Sequence, residues 1–167
     1  LPEHKKMDSV IQQSKNPYGK PHAERFNCLP KDVPIKGKSE NAFFAGCVSS
    51  YHDPHIAEAI VRVLHKAGYD FTIIKDEWCC GNHPYWDGNQ PLYEECAKHN
   101  AQTLKDAGVK RVITGCAGCY TMLKNTYPET ISGFNIEVQH VSEVLDKLLK
   151  DGKLNPTRNL SMKVTYH

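Results

Sequence analysis

No stretch of this 167-residue sequence stays apolar long enough to cross a bilayer, so no helical membrane span and no direct membrane insertion is expected within it. The opening Leu-Pro-Glu-His-Lys-Lys holds neither an initiator Met nor the apolar core of a secretory leader, and reads as the cut end of something longer. Neither sign of charge is in surplus: 21 Lys and Arg face 19 Asp and Glu, for a net charge of +2. That balance gives no reason to expect nucleic acid or an anionic membrane surface as a partner. An even cysteine count, the mark of a secreted disulfide scaffold, is also missing. There are seven cysteines, many for this length. Without a leader, thiols in such number belong to a reducing compartment, where clustering signals metal or redox chemistry. The expected setting is cytoplasmic, at a membrane only through a parent complex.

Residues 1–40 are rich in Lys, Pro, Asn and Gly and read as a linker or arm, with one short helix expected around Asp8 to Ser14. From Asn41 the pattern alternates. Ala42 to Ala45 is a short apolar run ending at Gly46-Cys47. Asp53-Pro54 then offers an N-cap and an N1 proline to a helix carrying Ile56, Ala59, Ile60, Val63, Leu64 and Ala67, closed by Gly68. A second strand is expected at Phe71 to Ile74, followed by Glu77-Trp78-Cys79-Cys80-Gly81 and a loop through Asp87-Gly88-Asn89. Pro91 opens a second helix, with Leu92, Cys96, Ala97, Ala101 and Leu104 on one side and Gly108 beyond its end. Arg111 to Thr114 is a third strand, entering Gly115-Cys116-Ala117-Gly118-Cys119 and a helix from about Tyr120 to Lys124. A fourth strand at Asn135 to Gln139, a helix capped by Ser142 and stopped at Gly152, and a fifth strand at Met162 to Tyr166 complete the pattern. The fold class is α/β: a mainly parallel sheet with helices on both faces.

Sites in such sheets form at the carboxyl ends of the strands. Cys47, the pair Cys79 and Cys80, and Cys116 each follow a different strand, so three strands deliver thiols to one sheet edge. Thiolates select iron–sulfur clusters, zinc or Cu(I). Cys116-x-x-Cys119 lies at a strand-to-helix turn, where the helix start lowers thiol pKa values. Structural zinc takes four ligands, and here there are five thiols, which favours a polynuclear iron cluster. A metal-free CxxC dithiol switch leaves Cys47, Cys79 and Cys80 without a role. Cys96 reads as a buried hydrophobe and Cys28 as a spectator. His52, His55 and His83 sit beside the cysteines as candidate hydrogen-bond donors to sulfur or proton relays, against the plainer reading of loop histidines. Trp78 and Trp86 bracket the Cys-Cys-Gly loop and are expected to shield the site from water, and His140 to be an ordinary strand-end residue.

The spacing Cys47-x31-Cys79-Cys80-Gly81, with 35 residues between Cys80 and Cys116-x-x-Cys119, resembles the cysteine-rich "CCG" domain of the heterodisulfide reductase family. That family includes the B and D subunits of the methanogen enzyme and iron–sulfur subunits of glycolate, lactate and glycerol-3-phosphate dehydrogenases. The resemblance implies that Cys47, Cys79, Cys80, Cys116 and Cys119 hold one non-cubane [4Fe-4S] cluster, with zinc the alternative. It implies service in reducing a CoM-S-S-CoB type disulfide, or in relaying electrons for a flavin-dependent dehydrogenase. A zinc-binding interaction module is the remaining reading. Val164-Thr165-Tyr166-His167 resembles the start of a second motif, and Lys15 to Gly19 the stretch after a ferredoxin-like domain. Residues 41–167 are thus expected to be the first half of a two-motif unit, incompetent for turnover alone. Other iron–sulfur subunits or domains of one complex and a small disulfide or thiol are the expected partners.

Overall fold

The computed structural model describes residues 2–158 and 160–165. Four strands, β1 (Asn41–Phe44), β2 (Thr72–Ile73), β3 (Arg111–Thr114) and β4 (Glu137–His140), form one sheet in the order β2-β1-β3-β4, every pair parallel. Alternation along β1 explains both faces. Ala42 and Phe44 point into a core built with Tyr93, Ala97 and Leu104 of α4 (Gln90–Asp106), together with Met122, Leu123 and Tyr127. Phe43 and Ala45 point the other way, onto Ala57, Val61 and Leu64 of α2 (Pro54–Lys66) and Val144 and Leu148 of α7 (Val141–Lys150). Helices therefore cover both faces, as the alternating pattern requires. Each buried Phe contributes roughly 1.5–3 kcal/mol of transfer free energy.

Around that frame, α1 (Pro2–Ser14) opens the chain and α3 (Asn82–Trp86) follows the Cys79-Cys80 turn, where the sequence suggests only loop. Helix α5 (Ala117–Thr121) continues through a π turn, Met122–Thr126, into α6 (Tyr127–Thr130). This stretch outruns the expected Tyr120 to Lys124 because Met122, Leu123, Thr126 and Tyr127 all have core to enter. Pro54 is in the first turn of α2 as expected, but the Asp53 side chain makes no capping bond. At α7 the cap is His140, not Ser142: its Nδ1 accepts from the Ser142 N–H (3.3 Å), and Glu143 accepts from the His140 N–H (2.7 Å). Residues 162–165 are irregular, with Met162 and Val164 exposed, so the expected fifth strand has no sheet edge or apolar cover there; Tyr166 and His167 lie outside the described residues. Among the described residues no helix is long and apolar enough to cross a membrane.

The strand order puts a reversal between β1 and β3, since the chain leaves β1 toward β2 on one side and returns to β3 on the other. Open parallel sheets leave a crevice at that point. Phe44 and Thr114 are paired at the ends of those strands, so the turns carrying Cys47 and Cys116 start at the same level.

Candidate metal centre

The five expected cysteines meet in that crevice. Neighbouring thiols lie close enough to shift one another's titration: Cys47 with Cys79, Cys79 with Cys80, Cys80 with Cys119, and Cys119 with Cys116. They form a row. Among the described residues, no group of three or more His, Cys, Asp or Glu is arranged to hold a single metal ion. All five line one pocket of about 60 Å³, with Tyr18 and His83 also on its wall. A larger depression of about 550 Å³ between the end of α4 and residues 131–136 carries no cysteine.

The turns bearing Cys47 and the Cys79-Cys80 pair are braced by groups outside the cysteine pattern. Glu77 is wholly buried and receives three donors: Gly46 N–H (2.9 Å) and Arg25 Nη1 (2.7 Å) on Oε1, and Ala45 N–H (2.8 Å) on Oε2. Burial pushes its carboxyl up, while Arg25 and those two N–H groups pull it down. With three donors on two oxygens, the carboxylate is the form the geometry requires. Burial opposes the Arg25 charge, but Glu77 and Cys47 beside it hold the guanidinium protonated. Arg25 Nη2 donates to the Lys15 carbonyl (3.1 Å) and to Cys47 Sγ (3.5 Å). That same carbonyl accepts the Cys79 N–H (2.9 Å), at a residue whose φ of 60° aims it inward.

On the other side, Asn100 accepts from the Trp78 N–H (2.9 Å) and donates to the Cys79 carbonyl (3.0 Å), and the Tyr127 hydroxyl donates to the Cys80 carbonyl (3.1 Å). Gly81 closes the turn with φ 81°, and a Cβ there would come within 2.8 Å of the buried Tyr93 ring. At Gly46 a Cβ would come within 3.1 Å of Cys119 Sγ. Two of the cysteine turns therefore approach so closely that a side chain at Gly46 would have to displace the Cys119 sulfur by a few tenths of an ångström.

The electrostatics divide the thiols. Cys116 is brought down to about 6, chiefly by a hydrogen bond from the Cys119 thiol, with help from the Cys119 and Gly118 N–H groups and His140. Cys80 is lowered for the same first reason. Cys119 is raised because it donates to Cys116 and Cys80 and is buried. Cys47 is raised by its bond to Cys79 and by burial. In Cys79 the bond to Cys80 and burial outweigh the lowering effect of Cys47.

Cys96 packs with Ile11, Cys47, Cys79 and Leu92, and burial raises its thiol to about 12, as fits an apolar filler. Cys28 is buried in the α2–α7 core, its thiol donating to the Arg25 carbonyl (3.4 Å). Of the histidines, His83 lines the pocket and His52 stacks on Tyr18, whereas His55 is exposed and faces Glu58 at 3.9 Å. The tryptophans do not shield the thiols. Trp86 is 71 % exposed, and Trp78 stacks on His99 (3.7 Å) beneath Lys15. Neither ring lines the pocket, because the short helix α3 carries Trp86 past the site toward solvent. His140 is more than a strand-end residue, since it caps α7 and stands close enough to Cys116 to help lower that thiol.

The donor set fits an iron–sulfur cluster: five soft thiols converge, and glycine stands where two of the turns crowd. Comparison with known proteins gives independent relatives. The dihydromethanophenazine:CoB–CoM heterodisulfide reductase of Methanosarcina mazei has a D subunit that is 36% identical over 163 residues, 95% of this chain and 40% of that protein. EtfAB:quinone oxidoreductase of Syntrophomonas wolfei is 41% identical over 148 residues, 86% of this chain and 20% of that protein. The probable iron-sulfur-binding oxidoreductase FadF of Bacillus subtilis is 33% identical over 183 residues, 97% of this chain and 26% of that protein. The chain thus spans less than half the length of these relatives. No solved structure matches it. The sequence profile of the cysteine-rich domain CCG matches residues 41–124, from β1 through all five converging thiols, and the chain belongs to that family.

Proposed function

We propose that this chain is an iron–sulfur redox module in which Cys47, Cys79, Cys80, Cys116 and Cys119 hold one non-cubane [4Fe-4S] cluster. The reading is carried by the convergence of five thiols on one pocket at the strand-order reversal, one thiol more than a closed zinc site uses. A cluster bound there supplies one-electron transfer at potentials set by its surroundings. The chain's part is to fix and enclose the sulfurs. Glu77 pins the Cys47 turn, Asn100 and Tyr127 pin the Cys79-Cys80 backbone, and the burial of Cys79, Cys80 and Cys119 excludes water. Cys116 is the thiol left partly open, which gives a small disulfide or thiol one side from which to approach.

The whole-protein role we propose is disulfide reduction of the heterodisulfide type, with residues 1–40 joining this unit to an upstream ferredoxin-like domain and a second cysteine motif completing it. A cytoplasmic complex with further iron–sulfur subunits, membrane-attached only through a partner, is the matching setting. The identity to EtfAB:quinone oxidoreductase favours a second reading, an electron relay for a flavin-dependent dehydrogenase.

Anaerobic reconstitution, metal analysis and EPR of the oxidised protein test the proposal. About four irons per chain with a paramagnetic oxidised state is the expected result; one zinc and no iron overturns it.

A further inference from the structure

A buried ion pair is a weak stabiliser, since apolar residues of the same volume serve a core as well or better. Arg25 and Glu77 are nonetheless both fully enclosed, and the arginine comes from the arm before β1. Its fork reaches three acceptors: Glu77 through Nη1 (2.7 Å), and the Lys15 carbonyl (3.1 Å) and Cys47 Sγ (3.5 Å) through Nη2. Glu77 spends its two oxygens on Arg25 and the N–H groups of Ala45 and Gly46, so the donor turned toward sulfur is the guanidinium. Two more donors near Cys47, Arg25 Nε and the Tyr51 hydroxyl, are buried without a partner among the described residues. The Tyr51 ring lies 5.3 Å from the guanidinium and packs with Cys47.

We infer that Arg25 is a positioning residue that donates a fixed, charged hydrogen bond to the Cys47 sulfur and thereby raises the reduction potential of the cluster, an inference resting on the iron–sulfur reading above. Hydrogen bonds and positive charge at a ligating sulfur favour the more negative, reduced state. Arginine stays charged at every working pH, so the effect does not titrate away. Glu77 holds the guanidinium in place and offsets its cost of burial. The Lys15 carbonyl, shared between Arg25 and the Cys79 N–H, ties the same device to the second ligand turn.

The test is a redox titration of the reconstituted chain, wild type against Arg25→Lys and the charge-balanced double variant Arg25→Gln/Glu77→Gln. Iron content is measured on every sample. The double variant is expected to keep its iron while its reduced-to-oxidised ratio at fixed potential falls about tenfold, which is ~59 mV for one electron. Arg25→Lys is expected to recover part of that shift. A measurement free of substitutions accompanies it: with arginine labelled in 15N, ENDOR of the paramagnetic cluster in the wild-type chain is expected to show a guanidinium nitrogen coupling. Unchanged potential in iron-loaded variants, or no 15N coupling, overturns the role of Arg25 alone. A wild-type chain that takes up zinc and no iron overturns the iron–sulfur reading and this inference with it.

Discussion

Replacing Gly81 by Ala isolates the physical demand made by the Cys79-Cys80-Gly81 turn. Gly81 has φ 81°, where an L side chain costs roughly 1–2 kcal/mol. The new methyl would also stand 2.8 Å from Cδ2 of Tyr93. That ring is fully buried and packed edge-on against Tyr85 and Tyr127, so it has nowhere to move, and overpacking of this kind costs about 1–3 kcal/mol. Together these give about 2–5 kcal/mol, a fall in Tm of roughly 4–20 °C for a chain of this size. Gly88 is the internal control, because it shares a φ of 81° but a methyl added there would meet no atom within 4 Å. Gly88→Ala is expected to lose only the conformational cost, about 1–2 kcal/mol. Thermal unfolding followed by far-UV circular dichroism reads both. Equal losses in the two variants refute the claim that Tyr93 crowds the turn.

Glu77→Gln leaves the Arg25 charge buried without its counter-charge and is expected to cost about 3–5 kcal/mol in urea unfolding, whereas a surface acid such as Glu58 is expected to change stability by less than about 0.5 kcal/mol when neutralised. In metal-depleted protein, Cys116 is expected to be alkylated first, because it is the one cysteine not buried and its thiol is lowered to about 6. A lowered thiol is thiolate above its pKa, so the iodoacetamide rate should climb through about pH 6 and level off well before pH 8; peptide mapping with modification first at Cys96 contradicts this.

Strands β1, β2 and β3 were legible because each is a short apolar run leading toward a cysteine-bearing turn, whereas β4 is more polar and runs straight into α7. Strand order was not, since nothing in β1 or β3 names its neighbour. The five thiols were legible by spacing alone. Their braces were not: Glu77 and Arg25 are 52 residues apart, and Asn100 and Tyr127 lie on elements whose burial only the packed fold reveals. The arm was the least legible segment, because a Lys- and Pro-rich stretch gives no sign that Ile11, Asn16 and Arg25 are fully buried. Trp86 misleads in the other direction, as an aromatic beside a cysteine turn that nevertheless faces solvent.

The central claim, that five particular thiols share one cluster, is tested most directly by the EPR spectrum of the oxidised, reconstituted protein across the seven single Cys→Ser substitutions. The spectrum is expected to be lost or altered at Cys47, Cys79, Cys80, Cys116 and Cys119 and unchanged at Cys28 and Cys96. An unchanged spectrum in Cys80→Ser, or one altered by Cys28→Ser, contradicts the account.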